Sequence, residues 1–188
     1  MTTTRRRLVH GAATAVLLTL SLAACGDSND SEPSSQEDAM YCELIDPETV
    51  QPIVGGAGVK DFGGPVAKSD TRTIKCNLYD EDRREDVLAV YEYEVASSKL
   101  AAERDKATDL RTKHVDDEHY VALDEGDDIG YAWYTGDTAA ASLVTEARNI
   151  SVTIPATPAQ AAEFTPLALK IAQQIDTNLD TWDAEHPS

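Results

Sequence analysis

Basic residues are scarce in this chain. Sixteen Lys and Arg stand against 34 Asp and Glu over 188 residues, a formal charge of −18. So acidic a chain does not track nucleic acid or an anionic lipid surface, because both repel it. It suits cationic partners, or simply solubility. Histidine and cysteine are also few, at four and three. No His-Glu-x-x-His, Gly-x-Ser-x-Gly elbow or Gly-rich phosphate loop is present, so the common metalloprotease, hydrolase and nucleotide signatures are missing. Beyond the first 25 residues there is no second long apolar run, so nothing else in the sequence is long enough to span a membrane.

The one apolar run lies at the N-terminus. Arg5-Arg6-Arg7 forms a positive leader, residues 8–24 are rich in Ala and Leu, and Leu22-Ala23-Ala24 places small residues directly before Cys25. This is the pattern of a lipoprotein signal peptide over 1–24, with lipid carried on the Cys25 thiol. The expected location is the cell membrane, on its extracytoplasmic face, held there by lipid on Cys25. An uncleaved transmembrane anchor is the rival reading. It needs about 20 apolar residues, and His10, Thr14, Thr19 and Ser21 interrupt the run. The stretch 4–9 also resembles a twin-arginine export signal, so the export route stays open between the two systems.

With Cys25 committed to lipid, Cys42 and Cys76 remain. In an oxidising compartment such a pair tends to close. The loop of about 35 residues would then stabilise the fold by about 3–4 kcal/mol on a chain-entropy argument. Two buried free thiols are the alternative. Two cysteines without nearby histidines do not complete a tetrahedral metal set.

Residues 25–40 are a lipidated cysteine and an acidic, Ser-bearing tether with little to bury. A single domain is expected over 41–183, with a tail at 184–188. Asp46-Pro47 starts a helix whose inner face is Val50, Ile53 and Val54, and Gly55-Gly56 ends it. Residues 74–78 alternate as a strand. In a second strand Val87, Ala89, Tyr91, Tyr93 and Val95 share one face, with Glu92 and Glu94 on the other. The charged link 80–86 reads as a turn. Ser97 or Ser98 caps a helix running to about 113. Strands follow at 120–123, 129–134, 140–147 and 149–154. Thr157-Pro158-Ala159-Gln160 is a capping box, and Phe164, Leu167, Ile171, Ile175 and Leu179 supply the stripe of a last helix. Pro166 should kink that helix, or restart it with Thr165 as cap. The expected class is α+β: an antiparallel sheet of about six strands packed by helices, in the order helix-βββ-helix-βββ-helix.

Two polar knots are candidate sites. His114 and His119 flank Asp116-Asp117-Glu118, and imidazole with carboxylate suits zinc or manganese. Asp124, Asp127 and Asp128 crowd a second segment, where clustered oxygens suit calcium. Neither spacing is a known metal signature. Solvated surface and a tight Gly126 turn explain them as well. No cofactor and no catalytic residue is assigned. Tyr131 and Trp133 share a strand face, as do Tyr91 and Tyr93. Such rings most often line a core, but on a face without helices they form a binding surface.

The assembled pattern of lipobox, acidic tether, Cys42, Cys76 and the Gly126–Trp133 segment resembles a family of actinobacterial lipoproteins of unknown function. An additional acid in the Gly-Asp part of that segment departs from the family's pattern. The resemblance implies surface attachment and a paired-cysteine α+β domain, and it brings no catalytic residues with it. The expectation is a membrane-anchored, non-enzymatic binding or accessory domain at the cell envelope, engaging an envelope protein or a small ligand and no nucleic acid. A divalent-cation-binding protein is the first alternative, and an enzyme of unrecognised type the second. Cys25→Ser should abolish lipid labelling and move the protein from the membrane to the soluble fraction. Persistent membrane sedimentation of that variant would favour an uncleaved anchor.

Overall fold

The computed structural model describes residues 39–56, 58–66, 73–94, 97–114, 120–123 and 128–187. All of them belong to one compact unit, Ser35–Ser188. Its elements are α1 (Pro47–Val54), β1 (Val59–Gly64), β2 (Thr73–Asp80), β3 (Glu85–Glu94), α2 (Ser97–Lys113), β4 (Tyr120–Ala122), β5 (Ile129–Thr135), β6 (Thr138–Val144), β7 (Arg148–Pro155) and α3 (Pro158–Glu185). The expected α+β class and helix–strand order are seen. The strands form one open antiparallel sheet, β1-β2-β3-β7-β6-β5-β4. It holds seven strands, against about six expected, and the second group has four. Two meanders, β1 to β3 and β4 to β7, join where β3 pairs with β7.

Side-chain alternation gives the sheet two unlike faces. On one, Ile74, Cys76 and Leu78 of β2, Leu88 and Val90 of β3, Ile150, Val152 and Ile154 of β7 and Leu143 of β6 are buried with α1 and α3. Helix α3 supplies Phe164, Ala168, Ile171, Ala172, Ile175 and Leu179. Each fully buried Ile or Leu there contributes about 1.5–3 kcal/mol relative to exposure. Gly130 admits α3 closely, since a Cβ there would lie 3.0 Å from Leu169 Cδ1. At the sheet edge Gly63 has φ 108°, and a Cβ would fall 1.9 Å from the Lys75 carbonyl oxygen, so only glycine fits.

Several local expectations need correction. Helix α1 begins at Pro47, yet the Asp46 side chain makes no cap bond. Its carboxylate accepts from the Gln174 side-chain amide of α3 instead. Helix α3 runs unbroken through Pro166 to Glu185, two residues into the expected tail at 184–188. The Thr165 hydroxyl bonds back to the Ala161 carbonyl rather than capping a new helix. In β3 Ala89, Tyr91 and Tyr93 share a face with Glu92 opposite, as expected, but Val87 leaves that face at a bulge and is buried. Leu88, Val90 and Glu92 are buried, while Tyr91 and Tyr93 are 44% and 39% exposed. The turn after β2 is closed by Asp80. Its carboxylate accepts from the backbone N–H groups of Asp82 and Arg83, both at 2.9 Å, and from Arg83 Nε at 2.6 Å. Those bonds, the Arg83 backbone N–H first, hold its carboxyl below the usual range.

Cys42 and Cys76 are joined, with Cα atoms 5.9 Å apart and a sequence separation of 34. The bridge ties the entry turn of the domain to the middle of β2. Cys42→Ser should lower stability by about 3–4 kcal/mol, which is about 10 °C in Tm for a domain of this size. A thermal melt, with thiol titration of Cys76, checks this; an unchanged Tm would show that the bridge contributes nothing.

Candidate functional site

Two places in the fold combine chemically capable side chains. The first is built on Arg148, the opening residue of β7. Its side chain is buried, and Nη1 reaches Asp176 Oδ1 at 2.9 Å and Asp180 Oδ1 at 2.8 Å. Nη2 reaches Asp183 Oδ2 at 3.2 Å, and Nε lies 3.9 Å from Glu92 Oε1. Asp176, Asp180 and Asp183 are spaced i, i+4, i+7, so they line one stripe of α3. Burial alone would pull the Arg148 pKa down, but its bonds to Asp180 and Asp176 outweigh this and leave it raised. The Asp176 carboxyl is pushed up by burial, against its bond with Arg148, and the Asp180 and Asp128 charges add to the rise.

A cavity of about 410 Å3 opens over this network, lined by Asp128, Thr145, Glu146, Ala147, Arg148, Asp176 and Asp180. Asp128, one of the predicted candidates, is therefore brought to Arg148. His114 caps the end of α2 and does not line that cavity. Cys25, His119, Asp124 and Asp127 lie outside the described residues. Among the described residues no three His, Cys, Asp or Glu side chains are grouped to hold a metal ion. What the acids around Arg148 do is hold a guanidinium, and with it α3, against β7.

The second place is the other face of the sheet. Strand alternation turns Phe62 of β1, Lys75, Asn77 and Tyr79 of β2, Tyr91 and Tyr93 of β3 and Ser151 and Thr153 of β7 to this side. Helix α2 packs on β5 and β6, where Tyr131 and Trp133 stack at 5.3 Å. Its Arg111 Nη1 donates to the Leu123 carbonyl. Across β1, β2, β3 and β7 no described helix covers the face. Phe62 is 56% exposed there. Phe62 meets Tyr79 edge-on at 6.4 Å, and Lys75 Nζ sits 5.6 Å above the Tyr91 ring. The Tyr93 hydroxyl accepts from Asn149 Nδ2 at 2.7 Å, and the Ser142 hydroxyl donates to Asn149 Oδ1 at 3.2 Å. Burial raises the Tyr93 pKa, with Glu103 of α2 and Tyr131 adding to it. Asn77 Oδ1 is screened from bulk solvent and accepts no hydrogen bond among the described residues.

Sequence reasoning paired these tyrosines and noted that an uncovered face would bind. It did not foresee Arg148, whose signal is the acid spacing in α3. Two other cavities lie near Ile53 and Phe164 (about 280 Å3) and near Met40 and Gln51 (about 710 Å3). None of the described helices is long and apolar enough to cross a membrane. Arg148→Met should cost about 3–5 kcal/mol at neutral pH, because Glu92 and Asp176 then stay buried without their cation. Loss of the Arg148 bond would let burial raise the Asp176 carboxyl further above its unfolded value, so the folded variant binds an extra proton. The deficit should therefore shrink as pH falls below about 5. Urea melts at two pH values test this, and a pH-independent deficit would rule the explanation out. No protein-family model, curated protein or solved structure matches this chain significantly.

Proposed function

We propose that this is a lipid-anchored extracytoplasmic protein with a non-enzymatic binding domain, and that it engages a macromolecular partner through the open half of the aromatic sheet face. One observation carries the reading. Tyr91 and Tyr93 of β3, and Phe62 two strands away on β1, present large apolar rings to solvent on one sheet face, at 44%, 39% and 56% exposure. Exposing such rings forgoes burial that would otherwise stabilise the fold, and clustered exposed apolar groups mark interaction sites. Interfaces are enriched in Tyr, Trp and Phe and depleted of Asp and Glu at their centres. The outward positions of β1, β2, β3 and β7 fit that composition.

Of the four groups with displaced protonation among the described residues, three hold the fold together, which supports a non-catalytic domain, and the fourth, Tyr93, bonds Asn149 on the open face. Asp80 closes a turn, and Arg148 with Asp176 clamps a helix. The Cys25 anchor rests on the leader pattern, as does the envelope location. A photo-crosslinking residue at position 91 should trap a discrete adduct in intact cells, and one at the exposed Glu163 position of α3 should not. Adding Phe62→Ser to the position-91 protein should reduce the adduct. Identical patterns from both positions, or no adduct from position 91, would refute the assignment of this face.

A further inference from the structure

The open face differs from the rest of the chain in charge. The protein carries 34 acidic residues, yet among the outward positions of β1, β2, β3 and β7 in the described residues the one acid is Asp86, opposite Tyr79 at the end of β3. The other formal charges there are Lys60 and Lys75. Lys60 is paired at 2.7 Å with Glu81, in the turn at the rim, and Lys75 is spent on the Tyr91 ring. Acids stand around this neutral centre, Glu81 on one side and Glu103 of α2 on another, near enough to Tyr93 to act on it. An uncharged aromatic centre within an acidic surround is the complement of a surface that is apolar in the middle and basic at its margin.

We infer that the partner docking here is a protein with a cationic contact surface, an inference that rests on the binding role proposed above. Two features favour a cation over an anion. The net charge of −18 steers positive surfaces toward the chain and repels negative ones. The faces of Tyr91, Tyr93 and Phe62 carry negative quadrupole density that attracts Lys and Arg, and Lys75 above Tyr91 displays the geometry. A uronate-bearing glycan offers ring faces too, but its carboxylates meet an acidic surround and find Lys60 already paired.

The test uses the full-length protein in detergent and three labelled probes: an alternating Arg-Gly decapeptide, its Asp-Gly counterpart and hyaluronan fragments. Fluorescence anisotropy should show binding of the Arg-Gly peptide alone. Lys75→Glu should tighten it about three- to fivefold, by freeing the Tyr91 ring and removing a like charge, and Tyr91→Ser should weaken it by a similar factor. Glu163→Gln, a surface-charge control, should change it less than about twofold. If Glu163→Gln weakens binding as much as Tyr91→Ser does, net charge alone is responsible and the inference fails. It also fails if the arginine peptide does not bind, or if hyaluronan or the Asp-Gly peptide binds and loses affinity on Lys75→Glu. Adducts at position 91 in cells that survive such a result would keep the binding role and remove only this class of partner. Loss of both would remove the role itself.

Discussion

The interaction on which much of this fold depends is the burial of one guanidinium among carboxylates. Glu92 points from β3 into the same layer as Leu88 and Val90 and is fully buried. A lone carboxylate there would be intolerable, since burying an unpaired charge costs several kcal/mol. Arg148 lies close by, in the strand hydrogen-bonded to β3, and three aspartates of α3 close over it from outside. An arginine suits this position because its fork of donors can serve several oxygens while its charge never titrates. The pairing lets an acidic helix lie on an antiparallel sheet. It also sets the register of β3, since Glu92 must face Arg148 and Tyr91 and Tyr93 must then face the other way.

The same half of α3 has a second task on its next stripe. Gln174, Asn178 and Trp182, four residues apart, hold the entry turn of the domain. The Gln174 amide bonds the Asp46 carboxylate, Asn178 Nδ2 donates to the Leu44 carbonyl at 2.8 Å and Trp182 Nε1 donates to Glu43 Oε2 at 3.2 Å. The disulfide fixes the same turn to β2, and Cys42 N–H donates to Asp61 Oδ2 of β1. Cys42 and Glu43 both sit at positive φ, a conformation that costs energy outside glycine. The surrounding bonds over-determine it. One helix thus carries three programmes at helical spacing: aliphatic for the core, amide and indole for the entry turn, carboxylate for Arg148.

Legibility from sequence followed the physics of each element. Helix α1, the hairpin of β6 and β7 and the start of α3 were readable, because Pro at the first helical turn, Gly after the last and alternation are local signals. The pairing of Cys42 with Cys76 followed from counting. Strand β1 was not assigned a range, because Val59-Lys60-Asp61-Phe62-Gly63-Gly64 lacks alternation and is defined by its partner β2. The inward face of β3 was not readable locally. Val87, Ala89, Tyr91 and Tyr93 compose as good an apolar face as Leu88 and Val90, and the choice is made by Arg148, more than fifty residues away. The candidate acids were judged by their neighbours in sequence, whereas Asp128 finds its company on α3 and β7.

That choice also creates the exposed aromatic surface. Had β3 turned its tyrosines inward, the core would have gained two aromatic rings and the outer face a row of glutamates. A Glu92-bearing face would read as ordinary solvated surface, and nothing would distinguish it from the rest of an acidic protein. By sinking Glu92 onto Arg148, the fold removes negative charge from the one face that no described helix fully covers and leaves Tyr91, Tyr93 and Phe62 there. The stabilising clamp and the exposed aromatic patch are therefore two consequences of one register. A change that relaxed the clamp would be felt on both sides of the sheet.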